Sequence, residues 1–334
     1  KRQVLALPAI AGKFGVRGGG YTMSMSGGFD IDKQRLGRPD LRACPARSVN
    51  MTQLGRALTE LASPPIRALF VYNANPVAST PDQNRVLAGL AREDLFTVVH
   101  EQVMTDTALY ADVVLPATTI FEQNELHKSY GHVYLQYSRA LIDPVGEAVD
   151  NATLFRHLAA RMGLGTADLF AEQEMMADAL GVARAEEVRS ERVLRMAFAG
   201  SYDVVQFGTV WPRTADGKIH LAPADLGPIC FREEVPSTYP LVLLTPASER
   251  LINSSLGEFN LADPRLTLHP EDASARGIVD GAAVRIYNDL GRVEVRARVA
   301  DDVAPGVVSM PKGIWRSATL NGATATALIA DDLG

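Results

Sequence analysis

Hydrogen-bonding side chains gather where three apolar stretches of this sequence break off. Asn73 and Asn75 stand in "YNANPVAST" (72–80), directly after "RALFVY". His100, Glu101, Gln102, Thr105 and Thr107 follow "LFTVV", and "PATTIFE" (116–122) follows "DVVL". Ionised Glu101 and Asp112 are acceptors only, whereas the asparagines, Gln102 and the threonines both donate and accept. Helix starts near Thr80 and Thr105 would aim backbone N–H groups at an anion such as phosphate. These side chains are suited to holding a polar ligand by hydrogen bonds.

The elements that must carry these residues follow from periodicity. "RALFVY", "LFTVVHE" and "DVVLP" read as strands. Between the first two, Thr80-Pro81-Asp82-Gln83 predicts a helix running to about Ala91, with Thr80 as N-cap and Pro81 in its first turn. Thr105 is expected to cap a short helix through about Ala111. Near-continuous apolar strands alternating with helices predict a parallel sheet covered on both faces, a doubly wound α/β unit. In such sheets ligands lie beyond the carboxyl ends of the strands. Asn73 and Asn75 are therefore expected at that edge, beside Glu101 and Asp112 on the adjoining strands.

Before this unit, Met51, Leu54, Leu58 and Leu61 recur at helical spacing, with Asn50 as cap and Ser63-Pro64-Pro65 as stop. "GKFGVRGGG" and Gly27-Gly28 lack the order of a P-loop and read as plain loop. Residues 150–235 look mostly helical, the first helix capped by Thr153 and ended by Gly163, followed by β-like "DVVQFGTVWP" and "KIHLAP". From Tyr239 the pattern is β-rich: "YPLVLLT", a short helix opened by Pro270, a hairpin around "NDLG" and "APGVVSMP". Short strands with one small helix suggest a closed barrel.

The 334 residues, 47% hydrophobic and 22% charged, suit a multidomain globular protein. A net charge of −6 argues against a broad nucleic-acid or anionic-membrane footprint. No apolar run approaches the roughly 20 residues of a membrane span. Cys44 and Cys230 form no CxxC pair, the spacing a cysteine-held zinc or iron–sulfur site would need, and read as free thiols in a reduced cytoplasm.

Several stretches, in order, resemble the molybdopterin-dependent oxidoreductases of the dimethyl-sulfoxide-reductase superfamily, which includes formate dehydrogenases, nitrate reductases and sulfoxide reductases. They are "YNANPVASTPD", "VVHEQVMTDTALYADVVLPATTIFEQNELHKSYGH" and the run from Tyr239 containing "HPEDASARGIVDGAAVRIYNDLGRV", "VAPGVVSMPKGIW" and Asn321. The likeness covers the whole chain but only about the C-terminal half of a typical member. It implies an α/β multidomain fold in four segments. Residues 1–63 are a glycine-rich lead-in and helix of a larger domain, and 64–149 an α/β nucleotide-binding unit. Residues 150–237 are a mostly helical scaffold segment, and 238–334 a double-psi β-barrel that binds molybdopterin dinucleotide.

The cofactor so implied is molybdenum or tungsten held by two molybdopterin guanine dinucleotides. Glu101 and Asp112 would accept from guanine N–H groups or ribose hydroxyls, with Asn73, Asn75, His100, Gln102, Thr105 and Thr107 around them. In the barrel, Thr245, Ser248, Asn253, Ser254 and Ser255 after the first strand, with Trp315, Asn321 and Thr324, would meet the pterins or the other nucleotide arm. Each has a plainer alternative: Thr105 as a cap, Asp112 as a helix stop, His100 as a packed core histidine. Neither cysteine matches the context of the family's metal ligand, so the 4Fe-4S cluster and that ligand are expected in an N-terminal part absent from this sequence. The chain would then be a fragment or a split subunit working with that part, a small-molecule substrate and an electron-transfer partner protein. The alternative is a non-catalytic scaffold homologue, as in a subunit of the respiratory NADH dehydrogenase.

Overall fold

The computed structural model describes residues 2–25, 29, 31–42, 45–164, 172–197, 201–221 and 238–332. Cys44, Cys230 and Gly27-Gly28 lie outside them. The chain divides into two compact units, one of residues 1–45 and 118–233, the other of 46–117 and 234–334.

The second unit begins with a three-stranded parallel sheet: β1 (Ala68–Tyr72), β2 (Phe96–Glu101) and β3 (Val113–Pro116), in the order 1-2-3 without reversal. Parallel pairing follows from the crossover the sequence places between β1 and β2, the helix Gln83–Leu90. That helix starts later than Thr80-Pro81 suggests. Asp82, at φ 51°, is the N-cap and accepts from the Arg85 N–H. The break after β1 is itself helical, because Pro76 opens a turn at Pro76–Ser79 that consumes Thr80 as its end. After β2 there is only a 3₁₀ turn, Ala108–Tyr110, with the Thr105 hydroxyl accepting from the Ala108 N–H.

Asn50 caps a 3₁₀ turn that continues as the helix Leu54–Glu60. This helix crosses Gln83–Leu90 with Leu58, Val77, Val86, Leu90 and Leu95 buried between and beneath them. Two glycines permit the close approach. A Cβ on Gly89 would lie 2.5 Å from the Leu58 Cβ, and one on Gly55 2.9 Å from the Val86 nitrogen.

In the other unit, β4 (Glu125–His127), β5 (Tyr134–Ser138) and β6 (Val193–Arg195) form an antiparallel sheet in the order 4-5-6. The helices Asn151–Arg161, Glu172–Leu180 and Val182–Glu191 belong to this unit. Met176, Ala185 and Val188 from the second and third of them pack with Leu135 and Tyr137. Two details differ from the sequence reading. The cap of the first helix is Asp150, which holds the N–H and hydroxyl of Thr153, because a carboxylate three residues upstream reaches both. The β-like stretches after residue 200 form no strand among the described residues, only a Gln206–Val210 bridge.

The second unit closes with β7 (Val242–Leu244), β8 (Leu266–Leu268), β9 (Ala283–Tyr287), β10 (Arg292–Val299) and β11 (Val307–Ser309). They form one mixed sheet in the order 7-11-8-10-9. β10 pairs antiparallel with β9 across the predicted hairpin and parallel with β8. The inward residues Val293, Val295 and Ala297 alternate with Arg292, Glu294, Arg296 and Arg298 and meet Leu266, Leu268, Val308 and Met310 in a shared core. The sheet is curled, a half-barrel, and β7 and β9 are its ends; a closed double-psi barrel goes beyond this pairing.

Overpacking at the helix crossing gives a direct test. Alanine has a better helix propensity than glycine by about 1 kcal/mol, but forcing a methyl into a filled core costs typically 1–3 kcal/mol. Gly89→Ala is therefore expected to lower stability by about 1 kcal/mol, read as a lower urea midpoint with an unchanged m-value.

Candidate functional site

The loops at the carboxyl ends of β1 and β2 are tied together by buried side chains. Asn75 Oδ1 accepts from the Thr107 hydroxyl at 2.7 Å and its N–H at 3.3 Å. The same hydroxyl accepts from the Val77 N–H at 3.1 Å. Gln83, completely buried, donates to the Val77 carbonyl at 2.8 Å and to the Thr324 hydroxyl at 3.0 Å, and its Oε1 accepts from the Thr324 N–H at 2.9 Å. A continuous polar ladder thus runs from the sheet edge to the last segment of the half-barrel. Thr107, Thr324 and Gln83 are consumed in it. Gln83 carries no signal in a single sequence beyond its place in the first turn of the helix.

What the ladder leaves over is the Asn75 side-chain amide nitrogen, buried and without an acceptor among the described residues. Asn73, at φ 51°, precedes it in a left-handed conformation that asparagine tolerates. Tyr72 is the register partner of His100, so Glu101 lies level with Asn73. Half-buried Glu101 accepts from the Gln102 N–H at 2.8 Å. Its pKa is raised, first by burial and also by the negative charge of Glu258. On the outer flank of β1 a pocket of about 410 Å³ is lined by Phe70, Tyr72, Ala74, Pro76 and Thr80.

Asp106 was not singled out in the sequence, yet it joins the same edge to the half-barrel. It is buried and accepts from the Arg316 N–H at 2.8 Å. Burial raises its pKa, with the Arg316 N–H and charge pulling the other way. The Arg316 guanidinium donates to the Gly322 carbonyl at 2.6 Å and the Tyr110 hydroxyl at 2.8 Å, and lies over the Tyr110 ring. Its neighbour Trp315 donates to the Ser254 carbonyl at 2.7 Å and fills the space over Gly257.

Other candidates stand apart from this edge. Asp112 precedes β3 and accepts from the N–H of Thr97, near the start of β2, at 2.7 Å. In a parallel sheet the residue before a strand lies at the amino edge, so Asp112 is at the opposite end of the sheet from Asn73 and Glu101. His100 is buried within β2. Asn321 clips a turn, accepting from Glu294 N–H and donating to the Arg292 carbonyl. Ser248 accepts from the Arg250 N–H. Asn253, at φ 55°, and Ser255 are exposed in the loop after β7, Thr245 is half-buried at its start, and Gly313 packs on the Asn253 carbonyl. Glu122 is spent on the N–H groups of Thr119 and Val145, both at 2.6 Å, which lower its pKa. No group of three or more His, Cys, Asp or Glu that could hold a metal ion occurs among the described residues, nor any helix long and apolar enough to cross a membrane.

Comparison with known proteins gives the class. Residues 15–161 match the molybdopterin oxidoreductase family and residues 248–333 the molydopterin dinucleotide binding domain. The chain belongs to the molybdopterin oxidoreductases of the dimethyl-sulfoxide-reductase superfamily. It is 37% identical to the probable oxidoreductase YoaE of Bacillus subtilis, over 94% of this chain and 48% of that protein. It is 27% identical to the dimethyl sulfoxide/trimethylamine N-oxide reductase of Cereibacter sphaeroides, over 75% of this chain and 36% of that one. The acetylene hydratase of Pelobacter acetylenicus shares the fold, with a TM-score of 0.71 and 21% identity, over 99% of this chain and 50% of that one. The chain thus spans about half the length of the first two curated relatives it matches.

The cofactor class of these matches is a molybdopterin dinucleotide with molybdenum. The residues at the carboxyl edge fit one arm of it. Among the described residues the buried Asn75 amide lacks an acceptor, and Glu101, its pKa raised by burial, accepts from the Gln102 N–H. Nucleotide hydroxyls and base N–H groups would satisfy both.

Two outcomes follow from this geometry. Thr107→Val leaves the Val77 N–H and one Asn75 contact unmade in a buried site, so a loss of roughly 1–3 kcal/mol is expected, with Thr107→Ser restoring most of it in chemical unfolding. Asp106 gives a pH signature. A carboxyl whose folded pKa lies above its unfolded value costs stability as pH rises out of the range near 3.8, since the folded chain must then release a tightly held proton. Asp106→Asn keeps the acceptor, so its stability relative to the parent chain should rise with pH towards neutrality; a constant difference in unfolding midpoints would contradict the assignment.

Proposed function

We propose that this chain is the cofactor-binding part of a molybdenum or tungsten oxidoreductase that carries out two-electron redox chemistry on a small-molecule substrate. The observation that carries the reading is the carboxyl-edge cluster: the Asn75 amide without an acceptor among the described residues, beside Glu101, whose pKa burial raises. When bound, the cofactor supplies the electron transfer, and the protein supplies binding, orientation and electrostatics. Asn75 would donate to the cofactor, Glu101 would accept from it, and Asn73 and Gln102 would complete the rim. Ser254, Ser255 and Asn253 would meet it from the half-barrel. Asp106 and Gln83 act as positioning residues, since they tie the half-barrel to the loops at the sheet edge.

Closure of the curled sheet into a double-psi barrel belongs to the same reading and is supported by β10 pairing parallel on one side and antiparallel on the other. So do an iron–sulfur cluster and a metal ligand supplied from outside this sequence, an electron-transfer partner protein, and a cytoplasmic setting, which rests on two cysteines without a pairing motif. A scaffold homologue is the weaker reading, because it has no use for an unsatisfied buried amide.

Metal analysis of the full-length protein, with nucleotide release by acid, tests the proposal. Molybdenum or tungsten together with GMP is expected, and finding neither would overturn it. Within it, Glu101→Ala should lower cofactor retention several-fold. Asp112→Ala, at the far edge of the sheet, should leave metal and GMP content near the parent level.

A further inference from the structure

Five large apolar side chains stand exposed on two neighbouring stretches of the unit formed by residues 1–45 and 118–233. Ile120, Phe121, Leu141, Ile142 and Val145 are each between 53% and 75% exposed. Single exposed hydrophobics are ordinary on a protein surface, but a contiguous group is not. Hydrogen bonds make this group contiguous. The N–H groups of Leu141 and Ile142 donate to the Phe121 carbonyl at 2.7 and 3.1 Å. Buried Glu122 accepts from the Thr119 N–H through one carboxylate oxygen and from the Val145 N–H through the other, both at 2.6 Å. The Ala140 N–H donates to Asn124 Oδ1 at 3.1 Å.

A loop free to move would fold such side chains back onto the protein. Here the Glu122 carboxylate and the Phe121 carbonyl fix both stretches and leave the side chains outside, an arrangement already set before any partner arrives. Arg139, Asp143 and Glu147 are exposed beside them. An apolar centre with a polar rim is the form of a protein interface. Acids outnumber the base in that rim and the chain carries −6, which opposes an anionic lipid surface. Five side chains fall well short of the roughly 20–30 residues a side by which two separate copies hold together. The chain matches two relatives along 94% of its own length but only 48% and 50% of theirs. About half of each relative therefore has no counterpart in these 334 residues.

We propose that Ile120, Phe121, Leu141, Ile142 and Val145 are a docking surface for the polypeptide equivalent to that remaining half, which covers them with an apolar face of its own. Glu122 acts as the positioning residue that holds the surface in shape. Of the function proposed above, this uses only that further polypeptide belongs with the chain. None of the five side chains is among the cofactor residues proposed there.

Photo-crosslinking from Leu141→benzoylphenylalanine, in the full-length protein purified with any associated subunit, tests the surface. The adduct is expected in sequence outside residues 1–334, in the stretch that aligns with the uncovered half of the relatives, on the same chain or a separate subunit. An adduct within residues 1–334, from this molecule or a second copy, overturns the proposal. So does an adduct on an unrelated protein, or none. Hydroxyl-radical labelling of the full-length protein is a second measure. Leu141→Asp with Val145→Asp places two charges in an apolar contact, where an unpaired charge is costly. Labelling of Phe121 should then rise several-fold over the parent, while buried Met176 stays unlabelled and shows that the unit is still folded. Equal labelling of Phe121 in parent and variant overturns the proposal. Absence of metal and GMP would sink the proposed function but leave the adduct unaffected.

Discussion

The ladder from Asn75 through Thr107, Val77 and Gln83 to Thr324 is the constraint on which the second unit depends. Every rung is a buried polar group, and each would be costly to leave unpaired in an interior of low dielectric. The ladder therefore does more than add contacts. It dictates that the loop after β1, the loop after β2 and the last segment of the half-barrel adopt one mutual arrangement. Hydrophobic burial around Leu58, Val86 and Leu90 drives the α/β part together, and burial around Val293, Val295 and Met310 drives the half-barrel. Burial is non-directional, and the hydrogen bonds supply the register between the two.

The same network explains why few of the polar residues at the sheet edge are available to a ligand. Thr107 and Thr324 look like binding groups by type, yet their hydroxyls are engaged within the protein. Trp315 and Asn321 likewise support the chain around them. Asn75 is divided: its carbonyl oxygen belongs to the ladder and its amide has no acceptor among the described residues. Glu101 and Asp106 show two uses of a partly buried acid. Both are raised by burial, but Asp106 is met by the Arg316 N–H and charge, whereas Glu101 is met by the Gln102 N–H and the His100 charge and opposed by Glu258.

Much of the secondary structure was legible because the apolar runs are strong and the crossovers long enough to demand parallel pairing. The strands "LFVY", "FTVVHE" and "VVLP", the hairpin around "NDLG" and the helix opened by Pro270 lie where the pattern puts them. The caps were less legible. Thr80 and Thr153 are good cap types, but Asp82 and Asp150 are the caps, each offering a charged acceptor, to the Arg85 N–H and the Thr153 N–H respectively. Asp112 lies at the amino edge for a topological reason: a residue beside a strand in sequence says nothing about which edge it occupies until the strand's direction and its neighbours are known.

The sequence by itself determined the family, through motifs in order, and with it the cofactor class, since backbone geometry and polar types recur together in those stretches. It also determined the parallel sheet and the hairpin, which depend on local periodicity and chain length. Only the tertiary structure decided which side chains remain free to bind. That property depends on partners far away in the chain: Gln83 with Thr324, Asp106 with Arg316, Glu101 with Glu258. A hydroxyl or amide has a few hydrogen bonds to give, and whether the protein has already claimed them is settled by packing rather than by residue type.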